Sequence, residues 1–246
     1  MAASDRLVRL AVLGGALLAV SAFTVAFAFS ASPDVDVKDG TYLGATLLPP
    51  GPGIGGLPLI PVRIGSDGIL EGVPTHLDWY SYCRTEAPGL ELGAPFTNEF
   101  TYSVGEERLR AARAQGIEVW FEPLLGEKVR AQDFTEDWQG AHVKWRSPAG
   151  DSGARDLNAV ILRVPSGTYS TDVELEFAPH GFVAFNQDDT HFCCQVGWHL
   201  NNSPHTRASD GFELLYDACH DDRYDPRVIE RYEWPPGGRH TLERNG

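Results

Sequence analysis

The chain has 246 residues, 42% of them hydrophobic and 11% aromatic, which is enough to bury a core and unlike a disordered segment. Its formal net charge is -14, from 34 acids against 20 bases, and Lys38, Lys128 and Lys144 are the only lysines. That balance repels nucleic acid and anionic headgroups and argues against both as partners. It suits a protein kept soluble in high salt, or equally an ordinary acidic extracytoplasmic domain.

Residues 1–9 carry Arg6 and Arg9 and are followed by Leu10–Phe29, 20 residues without a charged side chain. At helical rise such a stretch crosses the ~30 Å hydrocarbon layer of a bilayer. The expectation is therefore a single transmembrane helix with a cytoplasmic N-terminus and an extracytoplasmic domain. The alternative is a cleaved signal peptide, since Ala26-Phe27-Ala28 has the small-x-small form of a cleavage site. Either way the remainder of the chain is expected to be exported, where disulfides are allowed.

Residues 30–72 are rich in Pro, Gly and Asp. Pro49-Pro50-Gly51-Pro52-Gly53 and Gly55-Gly56 interrupt regular structure, so the segment reads as a tether, with an ordered wrapping loop left open for Leu57 to Ile64. Residues 73–155 give mixed signals and read as an α+β elaboration. There Ser103-Val104-Gly105-Glu106 has the form of a capping box opening a helix through Arg113, with Gly116 as its stop. From 156 to 246 short apolar runs alternate with turn residues. They predict strands at Leu157–Val164, Val173–Phe177, Gly181–Asn186, Phe212–Tyr216 and Val228–Trp234, a mostly antiparallel β arrangement.

Four cysteines, Cys83, Cys193, Cys194 and Cys219, allow three full pairings. A Cys193–Cys194 bridge would be a strained vicinal one, so Cys219 is expected to reach one of that pair. Two segments concentrate chemistry, each after an expected strand: Asp188-Asp189-Thr190-His191-Phe192-Cys193-Cys194, and Asp217-Ala218-Cys219-His220-Asp221-Asp222-Arg223-Tyr224-Asp225-Pro226. One histidine beside acids is ordinarily a surface residue. Two such loops, each with a cysteine within three residues of its histidine, point to a site.

These two segments resemble the cluster-binding boxes of Rieske iron–sulfur proteins, whose usual forms are C-T-H-x-x-C and C-x-C-H-G-S-x-Y-D. The T-H-F-C-C run and the later R-Y-D-P look closest to Rieske proteins of salt-adapted archaea. The resemblance extends to the anchor, the tether, the W-Y-x-Y-C segment ending at Cys83 and the stretch from Asp133 to Ser147. It implies an all-β Rieske domain: an antiparallel base with a small cluster-binding cap over residues 179–226, behind a membrane helix. It implies His191 and His220 as metal ligands and a Cys194–Cys219 disulfide, leaving Cys83 and Cys193 as a second pair. It also implies a [2Fe–2S] centre, with a cytochrome b-type membrane subunit, quinol and a downstream redox carrier as partners. The chain would be the electron-transfer subunit of a quinol-oxidising respiratory complex, not a stand-alone enzyme and without a catalytic residue of its own.

The two positions that hold ligand cysteines in that family are Asp189 and Asp217 here, and the glycine and serine of the second box are Asp221 and Asp222. Of the surrounding hydrogen-bonding set Tyr224 remains. Thiolate is a soft donor suited to iron–sulfide clusters, whereas carboxylate is hard and suits a lone Mg, Ca, Mn or Fe ion. Three states follow: an unusual cluster, one divalent ion on His191, His220, Asp189 and Asp217, or a metal-free domain kept for assembly or interaction. His199 and His205 lie between the boxes as further candidate ligands, more simply read as surface residues.

Overall fold

The computed structural model describes residues 41–49, 55–74, 96–148, 156–189, 194–198 and 206–233. Ten strands lie among them: β1 (Thr41–Leu48), β2 (Leu57–Ile60), β3 (Val62–Ile64), β4 (Leu70–Gly72), β5 (Thr101–Tyr102), β6 (Gly140–Trp145), β7 (Leu157–Arg163), β8 (Phe182–Asn186), β9 (Leu215–Asp217) and β10 (Asp222–Glu233). Two helices accompany them, α1 (Glu106–Ala114) and α2 (Thr171–Phe177). Eight strands form one sheet in the order β5-β6-β7-β8-β2-β1-β10-β9, and β3 and β4 form a separate hairpin. Every strand pairing is antiparallel, as the turn-punctuated sequence predicts.

The sheet is two pieces spliced through β2. Leu57 and Pro58 pair with β1, while Leu59 and Ile60 pair with β8. Proline is poorly placed in a central strand because it lacks an N–H; here Pro58 sits where the strand changes partner. Pro226 is accommodated similarly. The β1–β10 register jumps from Ala45↔Ile229 to Thr46↔Asp225, so residues 226–228 form a bulge. Strand β8, Phe-Val-Ala-Phe-Asn, is buried along its whole length, which explains its unbroken apolar run.

Four readings of the sequence are corrected. The segment 30–72 is not a tether throughout: residues 41–48 and 57–72 supply four strands, because apolar residues such as Tyr42, Leu57 and Ile60 are fully buried despite the flanking Pro and Gly. The helix opens at Gly105 without a side-chain cap instead of at Ser103, whose backbone N–H is taken by the His142 carbonyl at the sheet edge. Val173–Phe177, with apolar residues at every second position, is helix. Ser166 and the Gly167 N–H bond the Glu174 carboxylate, which fastens that turn in place of a strand ladder. Finally, the run 212–216 yields only Leu215–Asp217 as strand, while the run beginning at Val228 starts as strand six residues earlier.

The main core lies between the β5–β8 face and the chain from α1 to Phe134. Phe100, Tyr102, Phe121, Phe134, Trp145, Leu157, Ile161 and Phe182 belong to it, and α1 contributes Leu109 and Ala112 at i, i+3 spacing. Trp120 packs edge-on against Tyr102, Phe121 and Phe134. Gly72 touches Trp145 and Phe100 so closely that a methyl group would overlap both rings. Gly72→Ala is therefore expected to lower stability by about 1–3 kcal/mol by overpacking, measured by urea unfolding, with an unchanged midpoint counting against this packing.

Among the described residues no helix is long and apolar enough to cross a membrane. The Leu10–Phe29 stretch lies outside the described residues.

Candidate functional site

The site is built where β8 and the β9–β10 hairpin end. After Asn186, the chain runs through Gln187, Asp188 and Asp189 and returns at Cys194–Trp198. The Asp189 N–H donates to the Cys194 carbonyl at 2.9 Å, and the Cys194 N–H donates to Asp189 Oδ1 at 3.0 Å, which closes this loop at its neck. The second loop is the turn between β9 and β10. Asp217 ends one strand, Asp222 begins the next, and the two are cross-strand partners. Asp217 Oδ1 accepts the Cys219 N–H at 2.8 Å, a local turn bond typical of aspartate. Asp221 takes φ 61°, a conformation that glycine adopts freely and aspartate tolerates.

Two connections hold the loops together. Gly197 and Tyr216 exchange backbone hydrogen bonds of 2.8 and 3.0 Å, and Cys194 and Cys219 form a disulfide across a Cα–Cα distance of 6.2 Å. The pairing expected from the resemblance is thus present. Cys83 and Cys193, expected as the second pair, lie outside the described residues, as do His191, His199 and His205.

Beneath the disulfide, Asp189, Asp217, His220 and Asp222 converge, with one ligand atom from each lying within 4.8 Å of the others. All three carboxylates are fully buried, while the His220 side chain is 20% exposed. His220 Nδ1 lies 2.7 Å from Asp217 Oδ2 and 3.3 Å from Asp189 Oδ2, so one imidazole nitrogen serves both acids. Burial, the hydrogen bond with Asp217 and the charge of Asp217 push the Asp189 carboxyl up to about 6. Burial works against protonation of His220. The hydrogen bond and charge of Asp217, with those of Asp189, outweigh it and raise the imidazole above the ordinary histidine value.

Of the sequence-derived ligands, the fold brings together Asp189, Asp217 and His220. Asp222, expected only as a neighbour of the ligands, joins the set itself. Tyr224, two residues further along β10 and on the same face by strand alternation, is fully buried beside it. The sequence offered no signal for Asp222 as a ligand, because its role depends on the hairpin register that sets it opposite Asp217.

A second layer ties this loop to the sheet. His142 on β6 is buried, with Gln187 Nε2 at 2.7 Å from Nδ1 and the Trp198 carbonyl at 3.2 Å from Nε2. Gln187 Nε2 also donates to the Val196 carbonyl at 2.8 Å. Nε2 also lies 3.2 Å from the backbone N–H of Trp198, so both polar backbone groups of that residue face the ring. His142 drew no notice in the sequence because nothing local marks it.

The described donors suit one ion and not a [2Fe–2S] core. Donors on a single ion lie at most about 4–5 Å apart, twice a metal–ligand bond, and these four meet that limit. A two-iron core needs donors on opposite sides and thiolate on one iron. Here the two carboxylates at the positions where the resemblance expects thiolates reach the same imidazole nitrogen, and the nearby sulfurs are joined to each other. Comparison with known protein families, characterised proteins and solved structures finds no match to this chain.

Two outcomes are expected. The folded chain holds a proton on Asp189 between pH 3.8 and about 6 that the unfolded chain has released, so stability falls as pH rises through that window. The elevated His220 pKa acts in the same direction: its contribution is complete below 6.5 and is lost as pH rises through the higher folded value. Melting temperature of the metal-free protein should decline across both windows, and Asp189→Asn should flatten the lower one; a profile that rises there would contradict the arrangement. Separately, the disulfide closes a loop with a sequence separation of 25, so replacing both cysteines with serine should cost about 3 kcal/mol in chemical unfolding.

Proposed function

We propose that this chain is a Rieske-like, membrane-tethered domain whose paired loops bind one divalent metal ion in place of an iron–sulfur cluster. The observation that carries this reading is the convergence of Asp189, Asp217, Asp222 and His220 within 4.8 Å of one another, with three carboxylates fully buried. Burying several carboxylates together is costly unless their charge is matched. Protonation of Asp189 and of His220 matches part of it, and a divalent cation matches it more completely. The mixed oxygen and nitrogen set fits Mn, Fe or Zn.

A bound ion there supplies a fixed positive centre able to polarise an oxygen ligand. The chain's own residues do the rest. Asp217 orients the His220 ring through Nδ1, the Cys194 and Cys219 N–H groups orient Asp189 and Asp217, and the disulfide keeps the two loops at one spacing. Support for the Rieske-like assignment comes from the antiparallel β architecture and the disulfide joining two loops at the matching positions. The place of the domain beside a cytochrome b-type subunit that oxidises quinol, its membrane anchor and its extracytoplasmic location rest on the resemblance and on Leu10–Phe29.

Metal and acid-labile sulfide analysis of the purified full-length chain tests the proposal. One divalent ion per chain without sulfide is expected, together with a rise in melting temperature on adding Zn or Mn. Asp222→Asn should weaken binding by at least ~10-fold, about 1.4 kcal/mol. About two irons with two sulfides, or a Rieske-type paramagnetic signal after reduction, would overturn it in favour of electron transfer through a cluster. Absence of any binding would overturn it in favour of a metal-free interaction subunit.

A further inference from the structure

A cleft of about 280 Å³ opens beside the site, between the start of α1 and the sheet. Arg108, Lys144, Asn158, Gln187 and Gln195 line it with the Gly105 end of α1, and no carboxylate does. On a chain of net charge -14 that lining is unusual: two cations and three amides gathered where acids are missing. Its volume falls just below the range of drug-sized ligand pockets, which starts at about 300 Å³, and suits a smaller ligand.

Arg108 gives the cleft its chemistry. Its Nη2 donates to the Gln195 carbonyl at 2.7 Å, which fixes the guanidinium plane, while Nη1 is buried and has no hydrogen-bond partner among the described residues. A guanidinium presents paired donors that match the two oxygens of a carboxylate or phosphate. Burial lowers the Arg108 pKa and the charge of Asp217 offsets part of this, yet no ion pair joins the two among the described residues. Lys144, by contrast, is already engaged by Asp156 at 3.0 Å. The Asn158 and Gln195 amides can donate to further ligand oxygens, while the Gln187 amide hydrogens are taken by His142 and the Val196 carbonyl. The first turn of α1 adds uncapped backbone N–H groups, since Gly105 offers no side chain.

We propose that this cleft is a binding site for a small oxyanion, a carboxylate or phosphate seated on the Arg108 guanidinium and surrounded by Asn158, Gln187 and Gln195. The site is separate from the metal ligands and needs no ion in them. Its position between Gln187, two residues before Asp189, and Gln195, next to Cys194, places the ligand beside the loop that carries both Asp189 and the disulfide.

The test is titration of the full-length chain with inorganic phosphate and with acetate, in chelator, against chloride at equal ionic strength. The amide resonances of Gly105–Arg108 and the melting temperature are followed. Saturable shifts with one or both oxyanions, at a Kd on the order of 1 mM or tighter, are expected; phosphate alone or acetate alone identifies which oxyanion class the cleft takes. Arg108→Gln should abolish the shifts. Asn158→Asp, which sets a like charge in the cleft without touching the Arg108–Gln195 bond, should weaken binding at least ~10-fold while leaving the melting temperature of the ligand-free protein near wild type. Shifts no larger than those with chloride, or binding by a folded Asn158→Asp variant equal to wild type, would overturn the proposal. Because no metal is present, the outcome is independent of the metal-binding experiment.

Discussion

Three carboxylates that cannot reach water crowd together, two of them against one imidazole, and the geometry of both loops follows from keeping that arrangement tolerable. Asp189, Asp217 and Asp222 are fully buried, and His220 Nδ1 sits between the first two at hydrogen-bonding distance. Isolated charges of this kind would shift their pKa or draw in a counter-ion. Both responses are visible: Asp189 is pushed up to about 6, and His220 is made more basic. The backbone contributes as well, since the N–H groups of Cys194 and Cys219 each donate to one of the acids. The cysteines that bridge the loops therefore also orient the carboxylates through their own amides.

The sheet makes this convergence possible. β8 delivers Asp188 and Asp189 from one half, and the β9–β10 hairpin delivers Asp217 and Asp222 from the other. The halves are joined through β2, whose four residues change partner midway. The exchange of hydrogen bonds between Gly197 and Tyr216 then brings the loops together near their bases. The disulfide and the buried acids thus depend on strands that lie far apart in sequence, including residues from the Pro/Gly-rich N-terminal region. Polar anchoring by His142 and Gln187 extends the same logic, because a buried amide and imidazole that satisfy one another restrict a loop more narrowly than apolar contacts do.

Charge is sorted sharply over a short distance. Acids cluster under the disulfide, while the adjoining cleft carries Arg108, Lys144 and amides without a carboxylate. Arg108 stands between them, bonded to the Gln195 carbonyl and influenced by Asp217. Such separation of sign in neighbouring sites allows a cation and an anion to be held close together, each by fixed groups.

Much of this was legible in the sequence. The apolar run at Leu157–Val164, the buried strand before Asn186, the paired acidic loops and the stop at Gly116 are local signals, and residues carry local signals themselves. The residues alone left either Cys193 or Cys194 open as the partner of Cys219, and the Cys194–Cys219 pair was what the resemblance implied. What the sequence left undecided depends on partners distant in the chain. Tyr42, Leu57 and Ile60 are strand residues because opposing strands bury them, which outweighs the Pro and Gly around them. The V-E-L-E-F run became a helix through the tie from Glu174 to the Ser166–Gly167 turn. Asp222 entered the ligand set through a cross-strand register, and Arg108, His142 and Gln187 came to the site from separate elements. By itself the sequence determined which residue types could bind a metal and on which loops they lie. Only the tertiary structure decided that four of their atoms meet within the reach of a single ion, because that distance is set by strand pairing and the disulfide together.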